Sequence, residues 1–233
     1  YIKKVTSCCI YGLSRLTNYL DDSCNIFIIS GICRKLIQEE IKTEPDYLPY
    51  TIQIIGNYLS FIDDKMIENS FMQEIFSFFI KILSNNPGKQ NLKRDIFWCL
   101  SNITCGNSTS CDLFAKSGLL TYVLQSIYID NECVINEALC VLSGFFDMQN
   151  FEIIVNYSNL DYIKNLVLCL KNIQDKYNNV SNINNENILE LLFNCIGFLF
   201  EEGDLLKDEG YENKFVSDFE KNGGFEILEQ LCS

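Results

Sequence analysis

Leu92-Lys93-Arg94-Asp95-Ile96-Phe97-Trp98-Cys99-Leu100-Ser101-Asn102-Ile103-Thr104 holds the single tryptophan of a 233-residue chain. Read as a helix, it sets Ile96, Leu100 and Ile103 at i, i+4 and i+7, the spacing of a stripe buried against a neighbour. Trp98 and Asn102 lie four apart on the other side, with Asp95 one turn earlier. One helix therefore has a core face and a second face bearing a large ring, an amide and an acid. Such a helix buries its stripe only against other elements, so the flanking sequence decides the fold.

The flanks are helical in both directions. Upstream, a first helix is expected over roughly Ile2 to Tyr19, a short one opens at Asp21-Asp22-Ser23, and another starts at Gly31. Pro45 and Pro49 bracket the entry to a helix through Ile52, Ile55 and Leu59. A short helix near Lys65 to Asn69 and an apolar one from Ile75 to Leu83 lead to the turn Asn85-Asn86-Pro87-Gly88. Downstream, a short helix after Ser110 ends at Ser117-Gly118. Leu119 to Ile127 follows, then a long helix Val134 to Phe146. Another round runs Glu152 to Asn156, Tyr162 to Leu170 and Ile188 to Phe200. The last has Phe215 to Glu220, then Gly223-Gly224, then Phe225 to Leu231. No stretch alternates as a strand does.

The unit of short helix, helix and long helix repeats. Arg15, Asn57, Asn102, Gly144 and Phe198 hold equivalent long-helix positions, separated by 42, 45, 42 and 54 residues. A period of roughly 40–47 residues built of two or three helices is armadillo or HEAT spacing. The predicted fold class is all-α, a right-handed α-α superhelix of armadillo repeats, over residues 1–233 with about five and a half repeats. The long interval holds a polar Asn-rich stretch, expected to be an insertion loop over 174–187. The chain begins without Met inside a helical pattern, so a fragment of a longer chain is expected.

Composition narrows the function. A net charge of −13 argues against nonspecific binding to nucleic acid or an anionic membrane and favours cationic partners. No apolar run approaches the roughly 18 residues of a membrane span. The twelve cysteines include no C-x-x-C pair, and the chain has no histidine. Cys99, Cys105 and Cys111 match no zinc spacing, so buried thiols are expected rather than a metal or cofactor site. Without histidine, a Gly-rich phosphate loop or a nucleophile elbow, no catalytic constellation is legible, and no enzyme is expected.

Arg94 to Asn107 resembles the hallmark helix of the importin-α (karyopherin-α) family, armadillo adaptors for nuclear localisation signals. Gly31-Ile32-Cys33-Arg34-Lys35-Leu36 resembles that family's repeat opening two units earlier. Ile54-Ile55-Gly56-Asn57 followed by Asp63-Asp64 resembles the repeat before the Trp helix. Lys221 to Leu228 resembles the final repeat. The resemblance spans nearly the whole chain and corresponds to the C-terminal half of the family's armadillo domain.

The resemblance implies an acidic concave groove that takes a basic nuclear localisation signal peptide in extended form. Asn amides would hold the peptide backbone, Trp rings would stack on Lys and Arg stems, and carboxylates would pair with the cationic heads. Carried over by position, Trp98 and Asn102 form one rung with Ser101 beside them. Asn57 is the Asn of the preceding rung, with Gln53 where the family has a residue other than Trp. Asp63, Asp95 and Glu137 are the acids. The pattern breaks elsewhere: Cys140 and Gly144 replace Trp and Asn in the next rung. Tyr11 stands in a Trp position, Arg15 in that of an aromatic, and Asn194 with Phe198 is off pattern.

Losing one slot and one clamp implies a minor site weaker by about 2–4 kcal/mol. The implied partners are cargo signal peptides, importin-β through an N-terminal arm outside this sequence, and an export receptor at the last repeats. The implied localisation is shuttling between cytoplasm and nucleus. The alternative is a divergent armadillo scaffold that keeps the fold and binds no such signal.

Overall fold

In the computed structural model, residues 2–17, 23–40, 47–61, 68–106, 108–147, 151–157, 160–179, 186–205 and 212–231 are described. Among them are thirteen α-helices and no strand. They fall into two compact units, Tyr1–Leu119 and Leu120–Ser233.

The first unit contains α1 (Ile2–Thr17), α2 (Ser23–Glu40), α3 (Leu48–Phe61), α4 (Asn69–Asn85), α5 (Gln90–Thr104) and α6 (Ser108–Ser117). Helix α3 packs against α1, α2 and α5, and α4 against α2, α5 and α6. Helices α1, α3 and α5 of successive repeats thus stack side by side.

The predicted break at Gly31 does not exist, since α2 runs through it. Ile29, Cys33 and Ile37 are all buried at i, i+4 and i+8. A mid-helix glycine costs only about 0.5–1 kcal/mol, less than that stripe gains by burial. Helix α4 begins at Asn69, earlier than the apolar run suggested, because Phe71 and Met72 are already core residues. The expected short helix at Lys65 to Asn69 lies outside the described residues except for Glu68, which is extended, and Asn69, which opens α4. The turn at Asn86-Pro87-Gly88 separates α4 from α5 as expected.

Aromatic side chains fill the first core. Phe76 meets Phe114 of α6 edge-on at 6.3 Å, and Tyr58 meets Phe71 at 5.9 Å. Arg34 of α2 lies 4.5 Å from the centre of the Phe71 ring while pairing with Glu68 and Glu74, so one guanidinium ties α2 to α4.

The second unit contains most of α7 (Leu119–Ile129), then α8 (Glu132–Asp147), α9 (Phe151–Asn156), α10 (Tyr162–Asn179), α11 (Glu186–Leu205), α12 (Lys214–Lys221) and α13 (Gly224–Leu231). Here α8 stacks on α11, and α10 packs against α11, α12 and α13. Asn213 caps α12 by accepting hydrogen bonds from Phe215 N–H and Val216 N–H. Gly223, at φ 79°, makes the left-handed turn into α13.

The described residues of the expected loop over 174–187 are helix: α10 continues to Asn179 and α11 starts at Glu186. Residues 180–185 lie outside the described set. The reason is visible at Ile173 and Gln174, both buried, with Gln174 Nε2 donating to Gln230 Oε1 of α13 at 2.7 Å. Composition read as loop, but the helical period had not ended.

The cysteines divide. Cys33, Cys99, Cys111, Cys169 and Cys195 are buried, whereas Cys8, Cys9, Cys105 and Cys133 are exposed, which corrects the expectation of uniformly buried thiols. Among the described residues no group of three His, Cys, Asp or Glu side chains lies together as a metal site would need. Burial pushes the Cys33 thiol up from 9.0 to about 12. Unfolding frees it to ionise near 9.0, so the unfolded state sheds a proton the folded state keeps. Stability contributed by the neutral thiol is therefore complete below pH 9 and falls as pH rises toward 12. Urea unfolding of Cys33→Val should show a shallower loss between pH 9 and 11, by about 1 kcal/mol per pH unit, than the native chain.

Candidate peptide-binding face

The core side of α5 fixes its other side. Ile96, Phe97, Cys99, Leu100 and Ile103 are fully buried, so the helix cannot rotate. Trp98, Ser101, Asn102 and Asp95 are half-buried at its margin. The sequence assigned this face correctly, although burial extends further around the helix than the three-residue stripe.

Beneath the indole lies Gly56 of α3. A Cβ placed there would stand 2.1 Å from Trp98 Cζ3 and 2.8 Å from Cε3. No other residue fits at that position without moving the ring. The Gly56 carbonyl also accepts from Asn102 Nδ2 at 3.5 Å, a long bond that orients the amide. Ser101 donates its hydroxyl to the Trp98 carbonyl at 2.8 Å, a bond within its own helix. The Ser101 proton is therefore already engaged.

Asp95 is paired with its neighbour. Arg94 donates from Nε at 3.0 Å and from Nη2 at 2.6 Å to the same oxygen, Oδ1. A guanidinium of this chain thus occupies one side of the carboxylate assigned to a peptide cation. The long Arg stem makes this possible for adjacent residues, which ordinarily face apart on a helix.

Asn57 requires a correction. It is buried, and its Nδ2 donates to Thr17 Oγ1 at 2.8 Å and to the Ser14 carbonyl at 3.5 Å. Thr17 in turn donates to the Ser14 carbonyl at 3.0 Å. The amide bonds α3 to the end of α1, so it is an inter-repeat tie and not a groove clamp. Buried amides take the partner that desolvation demands, and here that partner is α1. Gln53, one turn earlier, is half-buried. Asp63 lies outside the described residues.

Tyr50, the neighbour of the Tyr11 that stands in a Trp position, went unassigned by sequence. Tyr11 of α1 is 50% exposed and meets Tyr50 of α3 edge-on, ring centres 5.3 Å apart. Tyr50, Gln53 and Asn57 repeat the spacing of Asp95, Trp98 and Asn102, so Tyr50 falls where α5 carries its acid. That register was the available signal. The stacked helices α1, α3 and α5 together present two tyrosines and a tryptophan.

Glu137 is on α8 in the second unit, half-buried like Cys140 and Gly144. There Asn187 of α11 donates to Asn136 Oδ1 of α8 at 2.8 Å, Asn194 is exposed, and Phe198 is half-buried. A cleft of about 450 Å³ at the α4–α5 turn is lined by Pro49, Gly88, Lys89 and Leu92 and holds none of the predicted site residues.

The Trp98 face is chemically suited to an alkyl cation. A half-exposed indole accepts a Lys or Arg stem, the adjacent amide has donor and acceptor for a peptide unit, and the acid adds charge.

No family model matches the chain. Importin subunit alpha-1a of Oryza sativa subsp. japonica is 24% identical over 116 residues, which is 50% of this chain and 22% of that protein. The chain therefore matches well under half the length of this relative. Among solved structures, the designed armadillo repeat protein YIII(Dq.V1)4CPAF in complex with peptide (KR)4 is similar with a TM-score of 0.61 at 16% identity, covering 96% of this chain and 92% of that one. The designed armadillo repeat protein YIII(Dq)4CqI is similar with a TM-score of 0.69 at 16% identity, covering 97% and 85%. The fold is that of an armadillo-repeat solenoid.

Proposed function

We propose that this importin-α-like armadillo-repeat chain is a non-enzymatic scaffold that binds a basic peptide, in extended form, along α1, α3 and α5. The observation that carries the reading is the half-exposed Trp98, seated on Gly56 with Asn102 one turn away, in a chain of net charge −13. The indole takes the stem of a Lys or Arg, Asn102 takes a backbone amide, and Asp95 faces the cationic head in competition with Arg94. In the fuller form of this proposal the peptide is a nuclear localisation signal, the protein shuttles between cytoplasm and nucleus, and importin-β and an export receptor engage other parts of it. Support for that fuller form is the rice relative over half of this chain.

A fluorescein-labelled (KR)4 peptide titrated against the chain at low salt tests the reading by anisotropy. Saturable binding that weakens as salt rises is expected, because part of the attraction is charge. Absence of saturation at low salt sinks the proposal. The second reading, a divergent scaffold for a non-basic segment, draws on the Arg94–Asp95 pair and the replacement of Trp and Asn by Cys140 and Gly144. Tighter binding of a (DE)4 peptide than of (KR)4 selects it.

Asn57 separates packing from recognition. Asn57→Ala removes the amide donor to the buried Thr17 oxygen, whose hydroxyl still donates to the Ser14 carbonyl, and should cost about 1–3 kcal/mol of stability. The same variant should bind (KR)4 as the native chain does, measured below its own melting range.

A further inference from the structure

We infer that Gly56 is the positioning residue of the Trp98–Asn102 pair, fixing how deep the indole lies and where the Asn102 amide points. This deepens the peptide-binding reading and rests on it for its functional consequence. The starting point is a residue that α3 would be more stable without. Glycine inside a helix costs about 0.5–1 kcal/mol relative to alanine, and Gly56 is buried in the middle of α3.

Space explains it. A Cβ at position 56 meets Cζ3 of Trp98 at 2.1 Å, Cε3 at 2.8 Å and Cys99 Sγ at 2.8 Å. Carbon atoms in contact sit roughly 3.5–4.0 Å apart, so the six-membered edge of the indole would have to swing out by more than 1 Å. Gly203 of α11 and Gly224 of α13 are closed by Asn213 and by the Phe219 ring, whereas Gly12 of α1, Gly31 of α2 and Gly197 of α11 have nothing within 4 Å of a built Cβ. Alanine fits at each of those. Gly56 is the one the ring requires.

Two functions meet at this residue. Its missing side chain is the floor on which the ring rests, and its carbonyl is the acceptor toward which Asn102 Nδ2 turns. Displacing the ring would therefore disturb the slot and the amide together. The indole would present its edge where a lysine or arginine stem needs its face, since the cation is attracted to the ring face.

The test compares Gly56→Ala with Gly31→Ala in the full 233-residue chain, using the emission of its single tryptophan, iodide quenching, labelled (KR)4 binding and thermal melts. Gly56→Ala should expose the indole to iodide, shift its emission to longer wavelength and weaken (KR)4 binding about tenfold. Gly31→Ala should leave emission, quenching and binding unchanged and raise the melting temperature, as an open helical site does. Melts of Gly56→Ala in a Trp98→Ala background keep the proposal exposed even if the single variant folds poorly. Most of the stability penalty should vanish once the ring is gone. A penalty of the same size without the ring overturns the proposal, as does native quenching and native affinity in Gly56→Ala. A native chain that binds no (KR)4, combined with the expected quenching change, removes the peptide reading and the functional role of Gly56 while leaving its packing role.

Discussion

Trp98→Ala lowers the affinity of the chain for a (KR)4 peptide roughly 5- to 30-fold at low salt, equivalent to about 1–2 kcal/mol. The magnitude follows from what the substitution removes: one aromatic face for an alkyl cation, and the desolvated wall it forms with α3. Buried or half-buried tryptophans dominate peptide and protein interfaces for this reason. Two features cap the effect. Asp95 is already paired with Arg94, so the carboxylate contributes less than an open one would. Asn57 is committed to α1, so no second amide clamps the peptide at that rung. Anisotropy titration of both proteins under identical buffer measures the ratio, and Trp98→Phe should lie between them because a smaller ring keeps part of the face.

Phe97→Ala, one residue earlier, should do the opposite. Phe97 is fully buried on the core side of α5. Truncating it leaves a cavity and should cost about 3–5 kcal/mol. Domains are stable by only about 5–15 kcal/mol, so a large fraction of the margin disappears and the urea midpoint falls sharply. Trp98→Ala should move that midpoint less, since its ring is half-buried. In a buffer where the Phe97→Ala variant remains folded, its (KR)4 affinity should stay close to native. Adjacent residues on one helix would then separate stability from recognition, which is what the two faces of α5 imply.

Much of this was legible in the sequence, for physical reasons. Helices that stack on their neighbours must repeat an apolar stripe every 3.6 residues and repeat the unit at a fixed length, and both periods can be read from residue types alone. Ile96, Leu100 and Ile103 are core and Trp98 and Asn102 are not, as the spacing required. The errors have a common origin in residues whose behaviour depends on a partner from another repeat. Gly31 read as a break because a lone glycine signals one, but the Ile29–Cys33–Ile37 stripe crosses it. Gln174 read as loop because it leads a polar run, but a buried partner on α13 holds it in a helix.

Asn57 shows the same limit most sharply. Its helical position is equivalent to that of Asn102, and nothing local distinguishes an amide facing a ligand from one bonded to the preceding repeat. The distinction lies in Ser14 and Thr17, some forty residues away in sequence, which supply the acceptors. Gly56 is similar, since its meaning comes from the ring above it. Tyr50 differs: its seven-residue offset from Asn57 matches that of Asp95 from Asn102, and reading α3 and α5 in register would have placed it at the position of that acid.

In the proposed complex a basic peptide lies against the Trp98 indole. The single tryptophan makes that directly measurable: titrate unlabelled (KR)4 into the native chain at low salt and follow Trp98 emission and its protection from iodide. A saturable change in emission is expected, with reduced iodide quenching, at the same midpoint as anisotropy of the labelled peptide. Binding seen by anisotropy with Trp98 emission and iodide access unchanged to saturation would place the peptide elsewhere and contradict the proposal.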